Sequence, residues 1–232
     1  MRTEMVSFRS NGDKTDGYLA EPGDGKHHPG VVVIQEWWGL EPHVKDIVER
    51  VARAGYIAVA PDLYHGKVAK EPDDAMKHMM ALDMSHAVKE IAGAARYLAG
   101  RPDVEPKKVG VIGFCMGGRL ALKFGESSEL AGAIAAFYPG YYQPSVEDAA
   151  KIQAPTLIQF GADDESIPAR AREQIENNLK AAGKTVQVHT YEGAGHAFLN
   201  DTHPTHRPEP ARQAWEKAMD WFATHLEGAT VR

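Results

Sequence analysis

The chain of 232 residues has an ordinary globular composition, with 43% hydrophobic and 25% charged residues and a formal net charge of −6 at pH 7. Acidic and basic residues alternate without long runs of one sign, which argues against a surface for nucleic acid or membrane. No stretch approaches the roughly 18 consecutive apolar residues of a membrane span, and the single cysteine excludes an internal disulfide. We expect one domain over residues 1–232, without a signal peptide and in a reducing, cytoplasmic setting.

Short apolar runs alternate along the chain with longer helical patterns. Residues 5–10 and 16–22 predict an N-terminal antiparallel pair, and six apolar runs predict buried strands at residues 30–35, 56–61, 108–114, 130–138, 154–161 and 186–193. Apolar residues three and four apart predict helices at residues 42–55, 85–100, 116–126, 168–184 and 209–226. This alternation predicts an α/β fold, with a mostly parallel central sheet and helices on both faces.

Three longer stretches between these elements, residues 61–74, 139–153 and 199–208, are predicted to be irregular. We expect them at the carboxyl edge of the sheet, where α/β enzymes build their pockets.

The only cysteine lies where a predicted strand meets a predicted helix. The segment Gly113-Phe114-Cys115-Met116-Gly117-Gly118 matches the G-x-S-x-G nucleophile elbow, with cysteine in place of serine. Side chains two residues either side of so sharp a turn would collide, which explains the glycines. A small buried hydrophobe is the alternative role for Cys115, but this context favours a nucleophile at the N-terminus of a helix, where an anion is stabilised.

A nucleophile of this type needs a histidine base and an acid that orients it. In the α/β-hydrolase arrangement the chain order is nucleophile, acid, histidine. Asp164 follows the strand at 154–161 and His196 follows the strand at 186–193, so both satisfy that order after Cys115. The neighbouring Asp163 is the alternative acid, but the pattern Gly161-x-x-Asp164-x-x-x-Pro168 favours Asp164, and the other aspartate could cap the following turn.

A metal cluster of His196, His203 and His206 with Asp201 is the competing interpretation of this histidine-rich region. The spacing does not match a helical ligand pair and Pro204 interrupts it, so we expect neither a metal nor a cofactor. Five further histidines are expected to be solvated surface residues: His27, His28, His65, His78 and His225.

Over nearly its whole length the chain resembles the dienelactone hydrolase family (carboxymethylenebutenolidases), a cysteine-using branch of the α/β-hydrolases. Besides the elbow, the resemblance rests on these segments: Gln35-Glu36-Trp37-Trp38-Gly39, Pro61-Asp62-Leu63-Tyr64, Asp83-Met84, Gly161-x-x-Asp164 and Gly195-His196-x-Phe198.

The resemblance implies Cys115 as nucleophile, His196 as base and Asp164 as its orienter. It also implies that Glu36 holds the resting thiol by a hydrogen bond and moves aside when substrate enters. Backbone N–H groups of Trp37 and Met116 would form the oxyanion hole that the elbow architecture requires.

The substrate pocket departs from the family pattern. Typical members bind a substrate carboxylate with two arginines, but Asn200 occupies the position four after His196, and the stretch 68–80 contains Lys70 and no arginine. One lysine does not reproduce a bidentate guanidinium clamp. Met76, Met79 and Met80 either form a greasy, adaptable pocket wall or a core stripe. The candidate pocket residues are Tyr138, Asn200, Lys70 and Met76.

The predicted function is hydrolysis of activated carboxylic esters or lactones through an acyl-cysteine intermediate, with a small molecule as the expected partner. A thioesterase or acyltransferase with the same triad, and a non-catalytic ligand-binding member of the fold, are the alternatives. The oligomeric state stays open between a monomer and a weak dimer.

Overall fold

Eight strands form one mixed sheet in the computed structural model, which describes residues 1–227. The strands are β1 Arg2–Ser10, β2 Asp13–Glu21, β3 Gly30–Ile34, β4 Ile57–Pro61, β5 Val109–Phe114, β6 Ala131–Phe137, β7 Thr156–Gly161 and β8 Val186–Tyr191. Their order across the sheet is β1-β2-β4-β3-β5-β6-β7-β8. The hairpin β1–β2 is antiparallel and β2 pairs antiparallel with β4, whereas all other neighbouring strands run parallel. The predicted α/β class with a mostly parallel sheet is confirmed.

The apolar runs predict burial correctly in the middle of the sheet and wrongly at its edge. Strands β3, β4, β5 and β7 are buried at every position, and β6 at all but one. The prediction that β8 is a buried strand is wrong, because five of its six residues are partly or fully exposed. As the last strand in the sheet, β8 has a neighbouring strand on one side only.

Among the described residues, six helices lie between strands and a seventh follows β8: α1 Pro42–Arg53, α2 Pro72–Ala81, α3 Met84–Gly100, α4 Met116–Ser127, α5 Val146–Lys151, α6 Ala169–Ala181 and α7 Pro208–Phe222, the last continuing as a π-helical turn over Ala223–Glu227. Within residues 1–227 no helix has both the length and the apolar character needed to cross a bilayer.

Two glycines of β5 show that helices cover both faces of the sheet. Successive strand residues point to opposite faces, so Gly110 and Gly113 face opposite ways. A Cβ atom on Gly110 would lie 2.9 Å from Leu226, which follows α7, and one on Gly113 would lie 2.1 Å from the carbonyl oxygen of Gly117 in α4. Helices therefore pack closely on each face, and at Gly113, where the nearest atoms are main chain, only hydrogen fits.

Of the three stretches predicted as irregular, one contains a short helix and another includes the start of a longer one. Residues 61–74 overlap the start of α2 at Pro72, and residues 139–153 contain α5. In α2 only Ala75 is buried, so the helix has no apolar stripe that a sequence pattern could reveal. Helix α5 is six residues long and begins with a capping box between Ser145 and Asp148, a local signal too short to stand out.

Candidate active site

Three parallel strands end near one another and carry the predicted catalytic side chains at their carboxyl ends. Cys115 follows β5 directly, Asp164 lies three residues beyond β7, and His196 lies five residues beyond β8. Since β5, β6, β7 and β8 are consecutive in the sheet, the three residues meet at one edge. The fold therefore positions them through strand order rather than through nearness in sequence.

The backbone at Cys115 is strained into a conformation that side chains other than glycine rarely adopt. Its φ is 53° and its ψ is −116°, and its N–H donates to the carbonyl of Phe137 at 3.0 Å. A Cβ on Gly117 would lie 2.4 Å from the carbonyl oxygens of Ile34 and Gln35, so only glycine fits behind the turn. This turn leaves Cys115 half-buried on the pocket side of the sheet edge.

A short hydrogen bond joins the other two residues. Nδ1 of His196 lies 2.7 Å from Oδ2 of Asp164, whose side chain is completely buried. The second carboxylate oxygen of Asp164 accepts from the hydroxyl and the backbone N–H of Ser166, at 2.6 and 3.0 Å. Asp163 is exposed, and its backbone N–H donates to the carbonyl of Ala194. The imidazole is thus oriented by Asp164, which is itself held in place.

The environment shifts the proton affinities of both groups. Burial lowers the pKa of His196, but the hydrogen bonds with Asp164 and with Cys115 outweigh it and raise that pKa to about 10. Burial opposes ionisation of Asp164, yet its hydrogen bonds with His196 and Ser166 bring the pKa of the carboxyl below its usual value. His196 is therefore a stronger proton acceptor than an ordinary imidazole, within hydrogen-bonding reach of the sulfur.

Glu36 lies on the wall of the same pocket and is 2% exposed. Its carboxylate accepts hydrogen bonds from the Tyr138 hydroxyl at 3.4 Å and from the Asn200 amide at 2.9 Å. Both donors were candidates for the substrate pocket on sequence grounds, and the structure places them behind Glu36, fully buried. They fix the orientation of the carboxylate instead of lining the cavity.

Two residues that line the pocket together with Cys115 have backbone N–H groups without an acceptor in the described part of the chain. They belong to Trp37, just after β3, and Met116, the first residue of α4. Met116 is also held through its side chain, because the Tyr64 hydroxyl donates to its sulfur at 3.6 Å. The N–H of Met116 is one of the unpaired N–H groups at the start of a helix, which commonly bind anions.

The pocket itself has a volume of about 700 Å³ and a mostly apolar lining. Around Cys115, His196, Glu36, Trp37 and Met116 its walls are completed by Trp38, Met76, Met79, Met80, Arg119, Gly140, Tyr141, Ser166, Ala197, His203 and Thr205. Of the side chains predicted for the pocket, Met76 lines it, whereas Lys70 is exposed and lies outside the lining.

Several lining residues have no signal that a sequence pattern could isolate. Arg119 is the exception, because it lies four residues after Cys115 and so one helical turn along α4. Ser166 and Tyr141 come from loops whose course depends on the tertiary fold. His203, considered above for a metal cluster, stacks on Trp38 with ring centroids 5.0 Å apart. His206 contacts the carbonyl of Phe198 through Nδ1 at 3.1 Å.

Comparisons with known proteins agree with one another. The model of the dienelactone hydrolase family matches residues 15–226. Protein usf of Aquifex pyrophilus is 38% identical, covering 96% of this chain and 99% of that protein. A protein of Synechocystis sp., provisionally named a carboxymethylenebutenolidase, is 32% identical over 98% of both chains. A solved structure from Klebsiella pneumoniae, provisionally titled a dienelactone hydrolase, matches with a TM-score of 0.88 at 28% identity, covering 96% of this chain and 98% of that one.

Proposed function

The chain belongs to the dienelactone hydrolase family of hydrolytic enzymes, and from this premise we propose that it cleaves activated carboxylic esters and lactones through an acyl-cysteine intermediate. The observation that carries the proposal is the arrangement of His196, bonded to Asp164 at 2.7 Å and within reach of Cys115 at the pocket wall. A small molecule is the substrate that a pocket of about 700 Å³ accommodates.

In the first half of the reaction, His196 takes the proton of the Cys115 thiol and the thiolate attacks the acyl carbon. The negative charge that develops on the former carbonyl oxygen is stabilised by the unpaired N–H groups of Trp37 and Met116. The tetrahedral intermediate then collapses, the carbon–oxygen bond breaks, and His196 returns the proton to the departing alkoxide. The acyl group remains on sulfur as a thioester.

In the second half, His196 accepts a proton from water, and the resulting hydroxide attacks the thioester. The tetrahedral intermediate expels the Cys115 thiolate, which regains a proton from His196. Asp164 keeps the imidazole in one orientation and stabilises its charged form in both halves.

The chemistry of sulfur restricts the substrates to esters and lactones that have good leaving groups. A thiolate leaves more easily than an ordinary alkoxide, because groups of lower pKa leave faster. The first intermediate therefore goes forward with enol lactones, enol or aryl esters and thioesters, and returns to substrate with simple alkyl esters.

The position of Arg119 supports a substrate that carries an anionic group. Its side chain is half-buried, lines the pocket one turn beyond the nucleophile, and has no ion-pair partner among residues 1–227. A guanidinium binds a carboxylate through two parallel hydrogen bonds. We infer that Arg119 orients a substrate carboxylate in place of the two arginines of typical family members.

The position of Glu36 supports its role as a controlling group. Held by Tyr138 and Asn200, its carboxylate faces the cavity that contains the sulfur. In this position Glu36 can cover the sulfur of the idle enzyme and limit its oxidation until a substrate enters.

The test is mass spectrometry of the protein quenched during turnover of an enol lactone or a p-nitrophenyl ester. We expect an acyl adduct on Cys115, and loss of turnover in Cys115→Ala and His196→Ala. His27→Ala, which removes an exposed histidine outside the pocket, is the matched control and should be fully active. Unchanged turnover in Cys115→Ala would refute the mechanism. Transfer of the acyl group to an added alcohol in preference to water would instead identify an acyltransferase.

A further inference from the structure

A second group of ionisable side chains lies outside the catalytic pocket. His65 belongs to the loop after β4, and His86 and Glu90 lie one turn apart on α3. One ligand atom from each of the three lies within 4.8 Å of the others. We propose that His65, His86 and Glu90 form a binding site for a divalent transition-metal ion, with Zn²⁺ as the best fit.

The distances suit a tetrahedral ion. Oε1 of Glu90 lies 3.2 Å from Nε2 of His65 and 3.6 Å from Nε2 of His86. Tetrahedral Zn²⁺ with bonds of about 2.0–2.1 Å requires its ligand atoms to be about 3.3–3.4 Å apart. The two observed separations bracket this value, and the ligand nitrogens of His65 and His86 lie within 4.8 Å of each other. Two imidazoles and one carboxylate are a common zinc ligand set, with water in the fourth position.

The main chain places the two histidines without help from an ion. Asp83 caps the start of α3 by accepting from the N–H groups of Ser85 and His86, which fixes the first turn of that helix. His65 has a φ of 51°, and the Asp62 carboxylate holds its loop by accepting from the N–H groups of Tyr64 and Gly66. The site is therefore largely preformed.

The burial of the Glu90 carboxylate indicates that a cation binds here. Its side chain is 1% exposed, and Oε2 has no hydrogen-bond partner in the part of the chain that the structure describes. Leaving a buried carboxylate partly unpaired is costly unless positive charge compensates it. The two imidazoles that face it are about half exposed, so an ion from solvent can reach the space between them.

The surrounding polar groups resemble the outer shell of a metal site. The Thr15 hydroxyl donates to Oε1 of Glu90 at 3.0 Å, and the Asn11 side-chain amide contacts Nδ1 of His86 at 2.5 Å. When that amide presents its oxygen to Nδ1–H, Nε2 of His86 is left unprotonated and free to bind metal. In known zinc sites, hydrogen bonds with neighbouring polar groups such as these orient the metal ligands.

The ion would tie the β1–β2 turn, the loop after β4 and α3 together. None of its three ligands lines the catalytic pocket, so the effect we expect is on stability rather than on the reaction. Binding to the folded state alone should raise the Tm by about 5 °C or more at a hundredfold excess of Zn²⁺ over Kd.

The experiment is calorimetric titration of metal-free Cys115→Ala protein with Zn²⁺, because that variant removes the catalytic thiol as a competing ligand. We expect one tight site per chain, and the visible absorption of a tetrahedral complex when Co²⁺ replaces Zn²⁺. Adding His65→Ala, His86→Ala or Glu90→Gln should each weaken binding at least about tenfold. His27→Ala in the same background is the control and should bind normally.

Two results would overturn the proposal: no stoichiometric binding, or binding that survives unchanged in all three variants. Misfolding does not confuse the outcome, because His65 and His86 are about half exposed and Glu90→Gln removes a buried charge. Circular dichroism of each metal-free variant confirms this, and the Zn²⁺-dependent rise in Tm should disappear with the binding.

Discussion

The catalytic edge and the methionine wall face the same pocket but are held in different ways. The catalytic edge consists of Cys115, Asp164 and His196, and the methionine wall of Met76, Met79 and Met80 on α2. Backbone geometry, crowded glycines and short hydrogen bonds position the catalytic edge. Met76 and Met80 are 41% and 79% exposed. Under the proposed mechanism, the reacting groups are held by main-chain geometry and hydrogen bonds, whereas the wall that would contact the substrate consists largely of exposed side chains.

Asp164→Asn tests the catalytic edge most severely. We expect kcat to fall by about 10³–10⁴-fold, because the imidazole loses both its orientation and the charge that stabilises its protonated form. The carboxylate contributes to the raised pKa of His196, so its loss should lower that pKa and move the limb of the kcat/KM profile that reports His196 to lower pH. Steady-state rates across pH provide the measurement.

Asp163→Asn is the matched control, since it alters the adjacent, exposed carboxyl. An equal loss of rate in both variants would show that the hydrogen bond between Asp164 and His196 does not account for the loss of kcat.

Gly117→Ala tests the crowding behind Cys115. The new methyl group would lie 2.4 Å from two main-chain carbonyl oxygens, so we expect the free energy of unfolding to fall by about 3 kcal/mol. Chemical denaturation measures the change. Gly100→Ala is the control, because the last residue of α3 has nothing within 4 Å of a Cβ. That substitution should stabilise by about 0.5–1 kcal/mol, and similar losses in both would remove crowding as the cause.

Arg119→Ala tests recognition next to the nucleophile. We expect KM for a lactone or ester that carries a carboxylate to rise at least about tenfold, because a charge-assisted hydrogen bond contributes about 1.5–3 kcal/mol. The KM of the uncharged methyl-ester analogue should stay within about twofold. Equal effects on both substrates would mean that Arg119 supports the pocket without binding the anion.

Met80→Ser tests the methionine wall and has the smallest expected effect. An exposed side chain contributes little to packing, so the free energy of unfolding should change by less than about 0.5 kcal/mol. Loss of apolar contact should raise KM for long acyl chains about threefold and leave short ones unaffected. A loss of stability of several kcal/mol would show that the wall is part of the core.

Local sequence patterns predict much of this molecule because they express local physics. The run 108–114 and the glycines around Cys115 indicate strand, turn and helix, since a buried strand needs apolar residues and a sharp turn needs small ones. The positions of Asp164 and His196 after their strands follow from the same pattern. The exposure of β8 could not be predicted, because it depends on which strand ends the sheet.

The sequence alone determined the α/β architecture and the candidate catalytic residues, because strand, helix and turn signals act over a few neighbouring residues. Only the tertiary structure decided what Glu36 contacts, since its partners Tyr138 and Asn200 lie 102 and 164 residues away along the chain. It likewise decided that Arg119 and not Lys70 reaches the pocket, and that His65 meets Glu90. Contacts of this kind arise from the packing of distant segments, which no local pattern encodes.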